Sequence, residues 1–508
     1  MPVSRRDFMH SALAVSTLGL AGRQALIPIA AGATVDGYRA SLLPSQKEVW
    51  DWQVWMAKLG PKYTGNKAHG EFVKFLASHL EEYGLEVARE HYMLPRWEAR
   101  HCAITVTPAS GKSFRASVTS YFPYSGQTPA GGVTGELVYA GHNPSFTLDG
   151  LQNKIALIDF ATNVRHFGEM YQPWGIYPPN ARFPQDFRPA RGAVNDLTKF
   201  QKARALGVIL AWTDVSDANA ADQYTPFSRP PQGVPGLYVG RETGSKLKQL
   251  AANGAQATLT LEADVFPDTP TETLLATLPG ATSDEVIIVN THTDGPNATE
   301  ENGGLGILAL AKYFSRLPRS ERRRTLVFPL TTGHFAGPWV PSMRGIIQKY
   351  PDLIKKTVAA LTVEHLGCKE WADDTSFRYK ATGENEWAVA ITEMAGPSRI
   401  LVEALEGSAD RKTAVVNPVH GGWLGEGGSL ARAGVPTIGY IPQPNYLLAG
   451  PANGCIEKLS AERLHSEIEV FAKVIHKMDT VPAAELKTRS EGPSAQMIIR
   501  ASDFDKLL

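Results

Sequence analysis

Four stretches of this 508-residue chain carry imidazoles and carboxylates at spacings suited to holding a metal ion. The first reads Asn290-Thr291-His292-Thr293-Asp294-Gly295, followed closely by Glu300-Glu301-Asn302-Gly303-Gly304. The second is Thr331-Thr332-Gly333-His334, the third Glu364-His365, and the fourth Gly425-Glu426-Gly427-Gly428-Ser429. Donors of these types bind zinc at roughly 2.0–2.2 Å. Each stretch also has a plainer role open to it. Asp294 can simply orient the His292 imidazole, Glu300 and Glu301 can cap the helix that follows, and Glu364-His365 can open a solvated loop. What joins the stretches is their common place, mostly just after an expected strand.

Those strands follow from the hydrophobic pattern. From Thr273 onward strand and helix alternate, with strands expected at Val286–Asn290, Thr325–Leu330, Ala359–Glu364 and Thr437–Ile441. Helices are expected at Gly304–Leu317, Glu384–Ala395 and Ala461–Met478. Alternation of this kind predicts a mainly parallel sheet with helices on both faces. Uninterrupted runs such as Val286-Ile287-Ile288-Val289 fit strands buried on both sides. Sites in such sheets form at the carboxyl ends of the strands. Upstream, helices are expected at Lys47–Leu59 and Gly70–Tyr83, and strands at Glu86–Tyr92 and His101–Val106. Residues 120–265 are richer in strands and turns, with strands at Gly135–Tyr139, Lys154–Asp159 and Gly207–Trp212 and a helix from Leu197 to Leu206. An aromatic, proline-rich loop, His166–Arg191, carries Tyr171, Trp174, Tyr177, Phe183 and Phe187.

Composition narrows the class. A chain of 508 residues that is 43% hydrophobic and 20% charged is globular and too long for one core, so two or three domains are expected. Lys+Arg and Asp+Glu both total 51, which offers no basic field for nucleic acid. Cys102, Cys368 and Cys455 supply no disulfide framework and no C-x-x-C pair. No run reaches the roughly 18–20 apolar residues of a membrane span. The start, Ser4-Arg5-Arg6-Asp7-Phe8, with the apolar run Ser11–Gly22 and Ala31-Gly32-Ala33, reads as a cleavable export signal over residues 1–33. Its Arg-Arg pair resembles a twin-arginine signal, which implies a periplasmic or extracellular protein.

The four stretches, in chain order, resemble the zinc aminopeptidase and glutamate carboxypeptidase family. His292-Thr293-Asp294 matches that family's His-x-Asp, and Glu301-Asn302-Gly303-Gly304 resembles its Asp-Asn-x-x-Gly, with Glu301 in the place of the metal-bridging Asp. Val363-Glu364-His365-Leu366-Gly367 resembles the third-strand ligand, and Gly425-Glu426-Gly427 with Ala433-Gly434-Val435-Pro436 resembles a loop usually written Ser-Asp-His…Ala-Gly-Ile-Pro. The likeness runs over residues 45–480. It implies a peptidase-like domain in two parts, 45–119 and 270–480, around an inserted protease-associated domain at 120–265, with a tail at 481–508.

Two departures alter what the likeness implies. The family's Glu-Glu pair, base and second-metal ligand, is replaced by Gly333-His334-Phe335, and no acidic residue lies between Glu321 and Asp352. The late histidine is also gone, with Tyr446-Leu447-Leu448 in its place. The resemblance therefore implies one zinc ion or none, held by His292, Glu301 and Glu364, with Asp294 orienting His292. His334 becomes a fourth ligand, a base or a hydrogen-bonding neighbour; Glu426 and His365 are further candidates for moving protons. His420, Tyr446 and Trp174 are the expected substrate contacts. The reading that follows is an exported hydrolase of amide or peptide-like bonds acting on a peptide or small molecule. Acid–base chemistry of a lyase, isomerase or cyclase through His334, His365, His420 and Glu426, or a binding protein without catalysis, remain open on the same scaffold.

Overall fold

The computed structural model describes residues 35–488 except 163–164, 178–185, 188–193, 195, 282–283, 407, 409–411 and 420–421. The expected export signal at 1–33, His420, Phe183 and most of the tail fall outside the described residues. Site-bearing and supporting elements are, in chain order, α1 (Gln46–Lys58), α2 (Lys67–Glu82), β1 (Glu86–Thr107), β2 (Val133–His142), β3 (Ile155–Phe160), β4 (Tyr171–Tyr177), β5 (Gly207–Trp212) and β6 (Gly236–Val239). They continue with α3 (Arg241–Ala252), β7 (Gln256–Leu278), β8 (Val286–His292), α4 (Gly303–Ser315), β9 (Thr325–Thr331), α5 (Ser342–Lys349) and β10 (Thr357–Val363). The last are β11 (Ala388–Ile391), α6 (Ala395–Leu405), β12 (Thr413–Pro418), α7 (Gly427–Arg432), β13 (Thr437–Pro442) and α8 (Ala461–Thr480).

The strands join in the order β6-β5-β3-β2-β7-β9-β8-β10-β13-β11-β12-β4. Its centre, β9-β8-β10-β13, is parallel, as the alternation of strands and helices predicts. Strands β2, β3, β5 and β6 form a second parallel group. The link between the two is β7, whose first residues pair with β2 and whose last pair with β9. β1 runs antiparallel along nearly all of β7. The two strands expected at 86–92 and 101–106 are thus one long strand, bent by register shifts at Leu94/Arg96 and Ala99/His101.

Burial on both faces explains the unbroken apolar runs. Ile287 and Val289 of β8, Leu326, Phe328 and Leu330 of β9, and Leu361 and Val363 of β10 face the core under α1, α2, α4, α6 and α8. The alternate residues Val286, Ile288, Val327 and Ala360 face Met343 and Ile346 of α5 and Leu430 of α7. This two-residue period is the pleat itself. Helix starts carry oxygen caps: Ser45 accepts from the Glu48 amide at 3.2 Å, Asn66 from His69 at 2.8 Å and Ser460 from Arg463 at 3.2 Å.

Two expected helices differ. Residues 384–395 hold the end of a strand (Tyr379–Asn385) and then β11, with the helix beginning only at Ala395. The run Ala388–Ile391 is fully buried between β12 and β13, and four apolar residues are too few for periodicity to separate strand from helix. Of 197–206, only Thr198–Lys202 is helical. Among the described residues, no helix is long and apolar enough to cross a membrane.

Leu361, fully buried in the central strand, tests this layering. Leu361→Ala is expected to lower unfolding free energy by about 2–5 kcal/mol. Met93→Ala, at a side chain 57% exposed on β1, should shift it by about 0.5 kcal/mol or less. Urea denaturation of the two variants makes the comparison.

Candidate metal centre

The parallel strands deliver their carboxyl ends to one rim. His292 is the last residue of β8 and is fully buried. Its Nδ1–H donates to the Asp294 carbonyl at 2.9 Å, which fixes the tautomer and leaves Nε2 with a lone pair and no hydrogen-bond partner. Burial, helped by the charge of nearby His334, lowers its pKa to about 4, so the ring is neutral. The Asp294 carboxylate does not orient His292, contrary to the sequence expectation; only its backbone does. That carboxylate instead accepts from Thr64 Oγ1 at 2.5 Å and from the amides of His334 and Phe335 at 3.3 and 2.9 Å. It is the clasp of the turn that follows β9.

That turn begins at Gly333, whose φ of +95° is open to glycine at little cost. It sets the His334 ring parallel to His292, 4.2 Å between centroids, with the Phe227 ring on it at 5.1 Å. His334 Nδ1–H donates to Glu426 Oε1 at 2.9 Å, and Ser342 Oγ donates to Glu426 Oε2 at 2.9 Å. Burial alone would lower the His334 pKa, but the hydrogen bond and charge of Glu426, with Glu300 and Asp294, raise it to about 9. Burial would likewise raise Glu426, but His334 holds it down at about 2. The two form a part-buried imidazolium–carboxylate pair.

Glu364 and His365 follow β10 directly. Glu364 Oε1 accepts from the Glu426 amide at 2.7 Å, while Oε2 is buried without a hydrogen bond. Burial raises this acid to about 7, against the opposing pull of His334. Gly425 must be glycine here: at φ +68° its Cβ would lie 2.3 Å from Glu364 Oε2. His365 adopts a left-handed φ of +57°, and its Nδ1–H donates to the Pro442 carbonyl at 2.7 Å. Its Nε2 lies 3.2 Å from Glu300 Oε2 and 4.0 Å from Glu364 Oε2.

Two sets of donor atoms lie close enough to share an ion, His292–Glu300–His334 and His292–Glu364–His365, each within 4.8 Å of one another. Glu300, not the expected Glu301, belongs to them. Glu301 is turned to Lys62, whose Nζ is 2.6 Å from Oε1 with both side chains fully buried. The family-like spacing held the signal: Glu300 stands four residues before Gly304, as the Asp of Asp-Asn-x-x-Gly does before its Gly. Of the expected substrate contacts, Tyr446 is fully buried, its single hydroxyl proton shared between the Lys369 and Lys458 carbonyls, each 2.9 Å away. Trp174 is also buried, its Nε1 donating to the Thr392 carbonyl at 2.9 Å within the main core. Both are packing residues, and His420 is outside the described residues. His465 donates or accepts nowhere near this rim; its Nε2 bonds the Pro44 carbonyl at 2.9 Å.

Sequence reading missed Thr64, Phe227 and Ser342, which carry no motif. Phe227 reaches His334 because residues 216–228 are strapped to the segment 445–449. Gln223 pairs with Ala449 and donates to the Asn445 carbonyl at 3.0 Å, and the Tyr224 amide donates to Leu448 at 2.8 Å. Ser228 Oγ accepts from the Gly337 amide at 2.9 Å.

No protein-family model matches this chain, and no curated protein sequence does. Solved structures do. A peptidase M28 precursor from Shewanella amazonensis aligns with a TM-score of 0.61 at 16% identity, over 89% of this chain and 100% of that one. The zinc aminopeptidase BSAP from Bacillus subtilis aligns at 0.59 and 17%, over 87% and 98%. The aminopeptidase from Aneurinibacillus sp. strain AM-1 aligns at 0.54 and 16%, over 85% and 93%. The chain therefore has the fold of these peptidases, a mainly parallel sheet between helical layers, across most of its length.

Proposed function

We propose that this protein is a metal-dependent hydrolase of amide or peptide-like bonds working with a single zinc ion. One observation carries the reading: His292 Nε2 and Glu364 Oε2, both buried and neither hydrogen-bonded, converge with Glu300, His334 and His365 at the rim of the sheet. Charge supports it. Among the described residues, the buried acids Asp294, Glu301, Glu364 and Glu426 lie with two cationic partners, Lys62 at Glu301 and the His334 imidazolium at Glu426. Buried acids in such excess call for a cation, because an uncompensated charge in the interior is costly. The nitrogen and carboxylate donors suit zinc, and the fold is one on which zinc aminopeptidases are built.

His292 and Glu364 would be the anchoring ligands, with Glu300 and His365 completing the shell. When bound, zinc supplies Lewis-acid polarisation of the amide carbonyl and makes water nucleophilic near neutral pH. The chain's own groups do the rest. The His292 and His365 rings are held in their ligating tautomers by the carbonyls of Asp294 and Pro442. Glu426, itself braced by Ser342, keeps a proton on His334 Nδ1 and aims Nε2 toward the cluster. His334 thus takes the acid–base place left by the missing Glu-Glu pair. Phe227 covers one face of that ring and keeps water from it. The amino-terminal pattern fits export of the folded chain, and residues 120–265 act as an inserted domain that brings Phe227 to the site.

Calorimetric titration of the metal-free protein with zinc is expected to show one tight site, lost in His292→Ala. Turnover of an amide library should stop with chelator and return with zinc; turnover indifferent to chelator would overturn the reading. Glu426→Gln, which weakens the hold on His334, should cost about 10–100-fold in zinc affinity or activity. Asp294→Ala strands two amides and the Thr64 hydroxyl, and should cost about 1–3 kcal/mol in a denaturation assay.

A further inference from the structure

Glu300 and Glu301 are neighbours in one tight turn, both buried, yet only the first reaches the imidazoles. The backbone of the turn is clamped at both ends. Asn297 Oδ1 accepts from the Thr299 and Glu300 amides at 2.7 and 3.0 Å, and its Nδ2 donates to the Leu447 and Ala449 carbonyls, both at 2.7 Å. Asn302 exchanges two hydrogen bonds with the Leu366 backbone, at 2.8 and 2.7 Å, which ties the turn to the segment after His365. Neither clamp decides which glutamate side chain faces the rim.

Lys62 does. Its backbone pairs with Gly295 at 2.8 and 3.0 Å, which seats it beside the loop that carries His292 and Asp294. Its fully buried ammonium donates to the Gly60 and Asn297 carbonyls at 2.7 and 3.1 Å and sits 2.6 Å from Glu301 Oε1. The Met56 carbonyl is a more distant acceptor at 3.5 Å, and Glu301 is the one acid in ion-pair range of this amino group among the described residues. We propose that Lys62 is a positioning residue of the metal centre: by holding Glu301 it leaves Glu300 as the glutamate of this turn that faces His292, His334 and His365. The proposal deepens the zinc-site reading and rests on it. Without the ammonium, Glu301 becomes a buried charge with no counterion, the costly half of a broken pair. The cations within reach are then those at the rim, and Glu301 competes with Glu300 for them.

Zinc titration of K62M, E300Q, E301Q and the double variant K62M/E301Q tests this, with thermal melts reporting folding. K62M and E300Q are expected to lose about 10–100-fold in zinc affinity, the scale of a lost supporting contact. E301Q should bind as the wild type does, and K62M/E301Q should recover most of what K62M loses, since no buried charge is left unpaired. Zinc binding by K62M equal to wild type, or a double variant as weak as K62M, overturns the proposal. So does E301Q losing zinc while E300Q keeps it, a comparison that stands even if K62M does not fold. A crystal structure of metal-free K62M/E301Q beside E301Q separates the two readings. If wild type takes no zinc, the hydrolase reading falls. Lys62 still fails as a positioning residue if Glu300 keeps its contacts to His334 and His365 when Glu301 is charged and unheld, as a K62Q crystal structure would show.

Discussion

Everything at the rim of this sheet answers to the cost of burying charge. Carboxylates and imidazoles are held there out of water, where each lone pair and proton must find a partner or shift its ionisation. Some find backbone: the Asp294 carboxylate takes two amides and a hydroxyl, and Glu364 Oε1 takes the Glu426 amide. Some find each other, as His334 finds Glu426 and Lys62 finds Glu301. His292 Nε2 and Glu364 Oε2 make no hydrogen bond and lie close enough to one another to share an ion. A site made of leftovers is informative, because folding alone gives no reason to bury them.

The fold makes this affordable to geometry by delivering the groups from rigid strands. His292 ends β8, Glu364 and His365 follow β10, and Pro442, whose carbonyl fixes His365, ends β13. These neighbours in the parallel sheet are packed on both faces by helices, so their ends cannot drift apart without disturbing the core. His334 is different. It hangs on a turn, and it is held by Asp294 from beneath and by Glu426 and Ser342 from the side. The residue assigned to move protons is therefore positioned by neighbouring side chains, while the anchoring ligands are positioned by the strands themselves.

Much of this was legible before the structure. The strands at 286–290, 325–330, 359–364 and 437–441 appear within a residue or two of their expected bounds, because unbroken β-branched runs between helices have few other homes. The rim residues His292, His334, Glu364, His365 and Glu426 meet because all lie at the ends of those strands or in the loop before β13. What stayed hidden was set by distant contacts. Choosing Glu301 over Glu300 was undone by Lys62, a lone lysine in a loop with no motif around it. Tyr446 and Trp174 are aromatic and near interesting sequence, but the carbonyls that satisfy Tyr446 Oη and Trp174 Nε1 lie on other segments. Side-chain direction is a tertiary property, and single-sequence patterns report only which residues are near the rim.

The chemistry of Gly333-His334-Phe335, where the resemblance would place a Glu-Glu pair, suits its surroundings. A carboxylate at position 334 would stack against the neutral His292 ring and face Glu300 and Glu426 across a few ångströms, adding a like charge to a site already rich in them. An imidazole there reverses the sign. It neutralises Glu426, lies flat between His292 and Phe227 as an aromatic ring can, and still presents a titratable nitrogen to the cluster. Phe335 at the next position sends its ring away from the rim into a cluster with Tyr224 and Leu448, where a second ligand would have no partner.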